Sequence, residues 1–531
     1  MKLTFIGADH EVTGSAHYLQ VGDKNIIVDY GMEQGVNLYV NQEPPFTPAD
    51  TDYVFVTHAH IDHTGLLPLL YKQGFRGKVF CTVATFELCS IMLKDCAHIQ
   101  QFEADWRSRK NRRSGKDLVE PLYDFDDVDG ILGLFEGYHY NEEIKVCENV
   151  KIRFVDAGHL IGSASIEVWA TENDITRKLV FSGDIGNFDQ PLIKNPTYID
   201  SADYVIMEST YGTRLHSDEK PNYDGDLVSI IRDTFARGGN VIIPCFAVGR
   251  TQEVLYHLRK IKESGVLPEF NDATVYVDSP LAVAATSVFN EKNRECFDEE
   301  TLSLMDQGIN PIEFKGLRLS ITTDDSKAIN FDPKPKIILS ASGMCDAGRI
   351  RHHLKYNLWR SDSTIVFAGY QSVGTPGRTI LDGAKSIKIF GEEIAIQAKI
   401  TKIEGISGHA DRAGLLKWVE SFKEKPKEIF VVHGNDTVTD EFAALVSNTF
   451  DIKTAAPYSG AVFNLLTGKF EFKGVKEPIK RKQVSTNNVF NRLIANGERL
   501  MSVIRKNEGC ANKDLAKFAD QIKELCDKWD R

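Results

Sequence analysis

THAHIDHTG, residues 57–65, is the stretch whose reading decides the fold. Imidazole and carboxylate are good zinc ligands, and a zinc site needs three or four of them converging. His58, His60, Asp62 and His63 supply four within six positions, enough to bind one ion or to be shared between two. The apolar run Tyr53–Thr57 just before them reads as a strand. LLPLLYKQG just after them reads as a short amphipathic helix ended by Gly74. The cluster therefore sits on a loop between the C-terminal end of a strand and a helix, where α/β folds place their chemistry.

Working outward, the chain offers further candidate ligands at strand ends. His159 follows KIRFVDAG, Asp184 follows LVFSG and His433 follows EIFVV. Upstream, Lys2–Ile6 reads as a strand, and His17–Val21 with Asn25–Asp29 reads as a hairpin turning at Gly22–Asp23. Residues 84–140 are expected to be mainly helical. They include the basic stretch Trp106–Lys116, a solvated helix end or a substrate-facing patch. Strands resume at Lys151–Val155, Ser165–Ala170, Leu179–Ser182 and Tyr204–Met207. Between 222 and 400 the pattern becomes strand–helix–strand. VIIPCF precedes a helix beginning near Arg250, TVYVD precedes one at Pro280, and KIILSASG precedes RIRHHLKY, which together suggest a parallel α/β unit. After about 470 comes a charged linker, GVKEPIKRKQ. Two amphipathic helices are expected to follow, with Leu515, Phe518, Ile522 and Leu525 on one face as a packing or recognition appendage.

Length and composition bound the answer. At 531 residues the chain has room for two or three domains, and 42% apolar with 26% charged residues is globular. No apolar run approaches the ~20 residues of a membrane span. The N-terminus lacks the continuous apolar core of a signal peptide. The nine cysteines form no CxxC, which suggests reduced thiols. A cytoplasmic protein is expected. The net charge of -12 argues against polyanion binding by the whole surface, though not by a local basic groove.

The order of HAHIDHTG, AGHLIGSAS, FSGDIGN and VVHGN resembles the metallo-β-lactamase superfamily, with Asp29 in VDYG matching its early aspartate. ESTYG (208–212), FAVGRTQE (246–253), SASGMCDAGR (340–349) and ISGHAD (406–411) then resemble the β-CASP branch of RNA-processing nucleases. The resemblance runs to about residue 466. It implies an α/β protein: an αββα sandwich over 1–208 and 401–468, an inserted parallel α/β β-CASP domain over 209–400, and a short helical extension over 469–531. It also implies ligand sets: His58, His60 and His159 for one zinc, Asp62, His63 and His433 for the other, Asp184 bridging, and Asp29 supporting from behind. Manganese or iron would suit the same donors.

Asp62, Glu208 and His409 would be catalytic, with a metal-activated hydroxide attacking phosphorus and His409, oriented by Glu208, acting at the leaving group. Arg250, Ser340, Ser342 and Gly343 would contact substrate. RNA is the expected partner, without a membrane, and homodimerisation is left open. Endonucleolytic hydrolysis is favoured over 5′-exonucleolytic. Two other readings compete: a hydrolase of small esters or thioesters, which leaves His409 and the inserted segment unexplained, and a non-catalytic RNA-binding scaffold, which would be expected to have lost ligands.

Overall fold

A computed structural model describes residues 1–34, 39, 41–113, 117–216, 222–372, 374–403, 407–479, 488–508 and 512–529. Alternating buried positions build the first sheet. Lys2–Gly7, Ala16–Val21 and Lys24–Tyr30 run antiparallel, and Tyr53–Phe55, Lys78–Thr82 and Phe135–Tyr138 extend them in parallel. Val462–Asn464 and Lys469–Phe472 complete the opposite edge, giving eight strands. The second sheet has seven strands. Ile144–Lys145, Val150–Asp156, Ala164–Glu172 and Ile175–Phe181 are antiparallel, then Tyr204–Glu208, Glu428–Val432 and Thr454–Ala455 run parallel.

The two sheets share a core that includes Phe5, Val28, Phe154, Ile166, Phe181 and Phe430. The helices Val83–Arg113 and Phe125–Leu132 cover the outer face of the first sheet. Arg412–Glu420 and Asp436–Phe450 cover the second, around Trp418 and Phe442. This is the expected αββα layering. The residues described in the basic stretch belong to the long helix, and residues 114–116 lie outside the described residues.

The third sheet is all parallel, in the order Leu317–Ser320, Thr274–Asp278, Lys336–Ser340, Val241–Pro244, Thr364–Phe367, Lys399–Lys402. It is carried between Tyr204–Glu208 and Glu428–Val432, which pair side by side with Glu208 opposite Val432. The chain leaves the sandwich at Glu208 and has returned to its side by His409, 3.2 Å away, so a whole domain fits between them without disturbing the sandwich. Lys399–Lys402 joins the third sheet, and Lys469–Phe472 joins the first.

The tail forms Asn488–Lys506 and Asn512–Trp529. Ser502 Oγ donates to the carbonyl of Ala49 at 3.3 Å. Leu515, Phe518 and Ile522 are half-buried and Leu525 is exposed, so that face is not sealed against the rest of the chain.

Asp278 anchors the inserted sheet. It is fully buried and accepts from Arg349 Nη1 at 2.8 Å, Ser326 Oγ at 2.5 Å and His353 Nε2 at 2.6 Å. Burial pushes this carboxyl up, but the bonds from His353 and Ser326 outweigh it and hold it below the usual carboxylate range. Asp278→Ala strands a buried imidazole and a guanidinium, and an unfolding titration is expected to show a loss of about 3–5 kcal/mol. A depressed folded-state pKa stabilises above the unfolded value and is lost as pH falls through the folded one. Asp278→Asn is therefore expected to flatten the decline of stability below about pH 4 that the parent chain shows.

Candidate active site

The turn that holds the first four candidates is clamped by two neighbouring loops. Ser15 N donates to Asp62 O at 2.8 Å and Met32 N donates to Ile61 O at 2.9 Å. Gly31 is required at this crossing, because a Cβ there would lie 1.6 Å from the carbonyl oxygen of Asp62. The other candidates stand at strand ends, as expected. His159 follows Val150–Asp156, Asp184 follows Ile175–Phe181, and His433 follows Glu428–Val432. His433 N is tied to Ala8 O at 2.7 Å, so the first loop of the chain helps to seat it.

The structure brings all seven side chains together around Asp184. Its Oδ2 lies 3.4 Å from His58 Nε2 and 3.5 Å from His159 Nε2. Its Oδ1 lies 3.3 Å from His63 Nε2 and 3.7 Å from His433 Nε2. His60 Nδ1 is 3.1 Å from His58 Nε2 and 3.3 Å from His159 Nε2. His63 Nε2 is 3.2 Å from His433 Nε2, and Asp62 Oδ2 is 3.6 Å from the same His433 atom. Two donor groups therefore share one carboxylate: His58, His60, His159 and Asp184, and Asp62, His63 and His433.

These distances fit metal ions. A tetrahedron with zinc–nitrogen arms of about 2.05 Å has an edge of about 3.3 Å. Asp184 Oδ1 is buried with no hydrogen-bond donor, a costly state for a carboxylate unless a cation compensates it. The ring nitrogens that face away from the centre are held from behind. Thr57 Oγ1 lies 3.1 Å from His58 Nδ1, Asp29 Oδ2 lies 2.8 Å from His63 Nδ1, Gly408 O lies 2.9 Å from His159 Nδ1, and Thr210 Oγ1 lies 3.2 Å from His433 Nδ1. Such partners fix the tautomer and aim the other nitrogen inward. Asp29 also accepts from Thr57 N at 2.8 Å and Thr57 Oγ1 at 2.7 Å, so it supports the centre rather than entering it.

The electrostatics agree. Burial lowers His58, takes His60 down to about 3 and drives His159 well below its ordinary value, leaving the neutral, ligating form. Burial also opposes charge at His63 and His433, but Asp184 with Asp29 and Asp62 outweighs it and raises both. Asp62 and Asp184 are pushed up by burial, yet the surrounding imidazoles lower them. The acidic groups thus demand positive charge at the centre.

His409 stands beside this cluster, on a loop before Arg412–Glu420. Its Nδ1 is 3.2 Å from Glu208 Oε1 and its Nε2 is 3.9 Å from Asp184 Oδ2. Glu208 is fixed in turn by Ile185 N at 2.6 Å and Thr210 N at 3.2 Å. Burial disfavours the imidazolium, but Glu208 and Asp184 outweigh it and push His409 up to about 9.

The expected substrate contacts are less convergent. Ser340 is buried and donates to Asp278 O at 2.8 Å, so its hydroxyl ties two strands together. Arg250 pairs with Glu253 on its own helix. Ser342 donates to Asp346 Oδ1 at 2.5 Å, and Gly343 packs against the ring of Phe246. Sequence reasoning missed Thr57 and Thr210, because an ordinary threonine carries no local signal that it will back an imidazole.

Two substitutions test the support behind the centre. Asp29→Ala is expected to weaken metal affinity about 10–100-fold, read by competition with a chromogenic chelator. Gly31→Ala is expected to displace the Asp62 turn and lower bound metal in the purified protein, read by elemental analysis.

Known families match along the chain in the same order. Residues 11–81 match the model for the metallo-beta-lactamase superfamily, 251–380 the Beta-Casp domain, and 393–457 the Zn-dependent metallo-hydrolase RNA specificity domain. The chain is 36% identical to ribonuclease TTHA0252 of Thermus thermophilus over 437 residues, 82% of this chain and 94% of that one. It is 32% identical to an RNase J-like protein of Methanocaldococcus jannaschii, over 87% of this chain and 99% of that one. It is 30% identical to the transcription termination factor FttA of the same organism, over 86% and 70%. With that coverage and with the two-sheet sandwich and inserted parallel sheet in place, the chain belongs to the β-CASP RNA-processing nucleases of the metallo-β-lactamase superfamily.

Proposed function

We propose that this protein is a ribonuclease that hydrolyses RNA phosphodiester bonds with two divalent cations, zinc by preference, held by His58, His60 and His159, by Asp62, His63 and His433, and by Asp184 between them. The observation that carries the reading is the His409–Glu208 pair, 3.2 Å apart, set against the Asp184-centred cluster. A hydrolase of small esters has no use for a second, carboxylate-oriented imidazole on that side. The names of the relatives, ribonuclease TTHA0252 and an RNase J-like protein, support RNA as the substrate.

When bound, the cations supply a water of lowered pKa and neutralise charge on the phosphoryl oxygens. The protein's own residues do the rest. Glu208 accepts the Nδ1 proton of His409 and turns Nε2 toward the centre. A protonated Nε2 then stabilises, and delivers its proton to, the oxygen that leaves phosphorus. Asp62 orients the attacking water from the opposite group of ligands. Internal cleavage is the mode proposed, on the resemblance to the β-CASP branch of RNA-processing nucleases. A cytoplasmic site of action fits an RNA substrate, and no helix among the described residues is long and apolar enough to cross a membrane.

A time course on 5′-labelled RNA, with and without chelator, tests this reading. Internal fragments that vanish with chelator and return with zinc are expected. Labelled mononucleotides alone would replace the endonuclease with a 5′-exonuclease, and no cleavage would overturn the ribonuclease. His409→Ala is expected to lower kcat about 10²–10⁴-fold while bound metal stays at the parent level.

A further inference from the structure

Arg214 has a setting that the catalytic centre does not explain. It lies on the loop that follows Glu208 out of the second sheet, and this loop is pinned to the one that carries His409. Arg412 N donates to Arg214 O at 2.8 Å, and His216 N donates to Asp411 Oδ2 at 2.8 Å. His216 Nε2 also lies 3.2 Å from His409 O. The exposed guanidinium of Arg214 sits over two rings, 5.3 Å from the centre of Tyr211 and 5.8 Å from that of Tyr370. Tyr211 in turn meets His409 edge-on, with centroids 5.9 Å apart at 90°. Arg214 is thus one ring removed from the imidazole beside the centre.

Tyr370 approaches from the inserted domain. It follows Thr364–Phe367 at the C-terminal end of the parallel sheet and is 48% exposed. Its neighbour Gln371 is buried and donates to Gly343 O at 3.0 Å, and Gly343 packs on Phe246, itself 49% exposed. The ends of three parallel strands and the His409 loop therefore share one rim, lined by exposed aromatic faces.

Among the described residues, Arg214 has no carboxylate partner. A guanidinium stays charged at every accessible pH and presents a planar fork of N–H donors that matches phosphate. Attraction to the ring faces holds the guanidinium without using its donors. The chain carries a net charge of -12, so attraction of a polyanion must come from such local cations. Exposed aromatic faces beside a cation are the common means of gripping single-stranded nucleic acid, because every base has a face to stack.

Resting on the ribonuclease reading above, we propose that Arg214 binds the phosphate of a nucleotide neighbouring the scissile bond and that Tyr370 stacks its base, forming a single-strand clamp between the loop after Glu208 and the end of Thr364–Phe367. The test measures binding of a labelled single-stranded RNA at several salt concentrations, in the His409→Ala background so that the RNA is not consumed. Arg214→Ala is expected to weaken binding about tenfold and to reduce the log–log salt slope by about 0.7, the loss of one phosphate contact. Arg214→Lys is expected to restore the slope. Tyr370→Ala is expected to weaken binding about fivefold or more with the slope kept, and Tyr370→Phe to bind as the parent does. Unchanged affinity and slope in Arg214→Ala would overturn the clamp alone. So would weaker binding at the parent slope with a lowered melting temperature, which marks a packing role. A parent protein that binds and cuts no RNA would instead overturn the ribonuclease reading, and the clamp with it.

Discussion

Asp184 is a buried carboxylate whose two oxygens face different sets of imidazoles, and the architecture is arranged around that demand. A carboxylate without hydrogen bonds in a low-dielectric interior is expensive unless positive charge surrounds it. Here one oxygen faces His58 and His159 and the other faces His63 and His433. No single loop can supply such a shell. The ends of the strands Tyr53–Phe55, Val150–Asp156, Ile175–Phe181 and Glu428–Val432 therefore converge on one point between the two sheets. Held by the packing of Phe5, Phe154, Phe181 and Phe430 behind them, these ends keep the donor atoms of each group within 4.8 Å of one another.

The inserted domain meets the centre through the same pair of strands. Tyr204–Glu208 delivers Glu208 to His409 and then leads directly into the Arg214 loop. Glu428–Val432 brings the chain back to His433. Orientation of His409 and entry into the second domain thus depend on one stretch of backbone. Inside that domain, the ion-paired knot at Asp278 fastens three elements beneath the parallel strand ends, so the rim carrying Tyr370 and Phe246 rests on a stiff base.

How much of this was legible in the chain follows from the range of the forces involved. His58, His60, Asp62 and His63 could be read because metal chemistry concentrates ligand types within a few residues. His159, Asp184 and His433 could be read because each follows an apolar run that has to be a strand. Glu208 and His409 are 201 positions apart and came only from ordered resemblance. Which sheet a strand joins is not legible, because strand pairing is non-local. Nothing within Lys399–Lys402 says that its partner is Thr364–Phe367, and nothing within Lys469–Phe472 says that it closes the first sheet. Nor does the sequence near Ser340 say that its hydroxyl bonds the carbonyl of Asp278.

By itself, the sequence determined the types of the clustered donor side chains, their order and the alternation of strand and helix that carries them, since these follow from local spacing and hydrophobic period. Only the tertiary structure decided which oxygen of Asp184 faces which histidines, that threonines and Asp29 aim the rings, and that Arg214 meets both Tyr211 and Tyr370. Those relations depend on strand pairing and on side-chain packing across hundreds of residues. No local pattern encodes them, because the contact energy exists only once the distant partners have met.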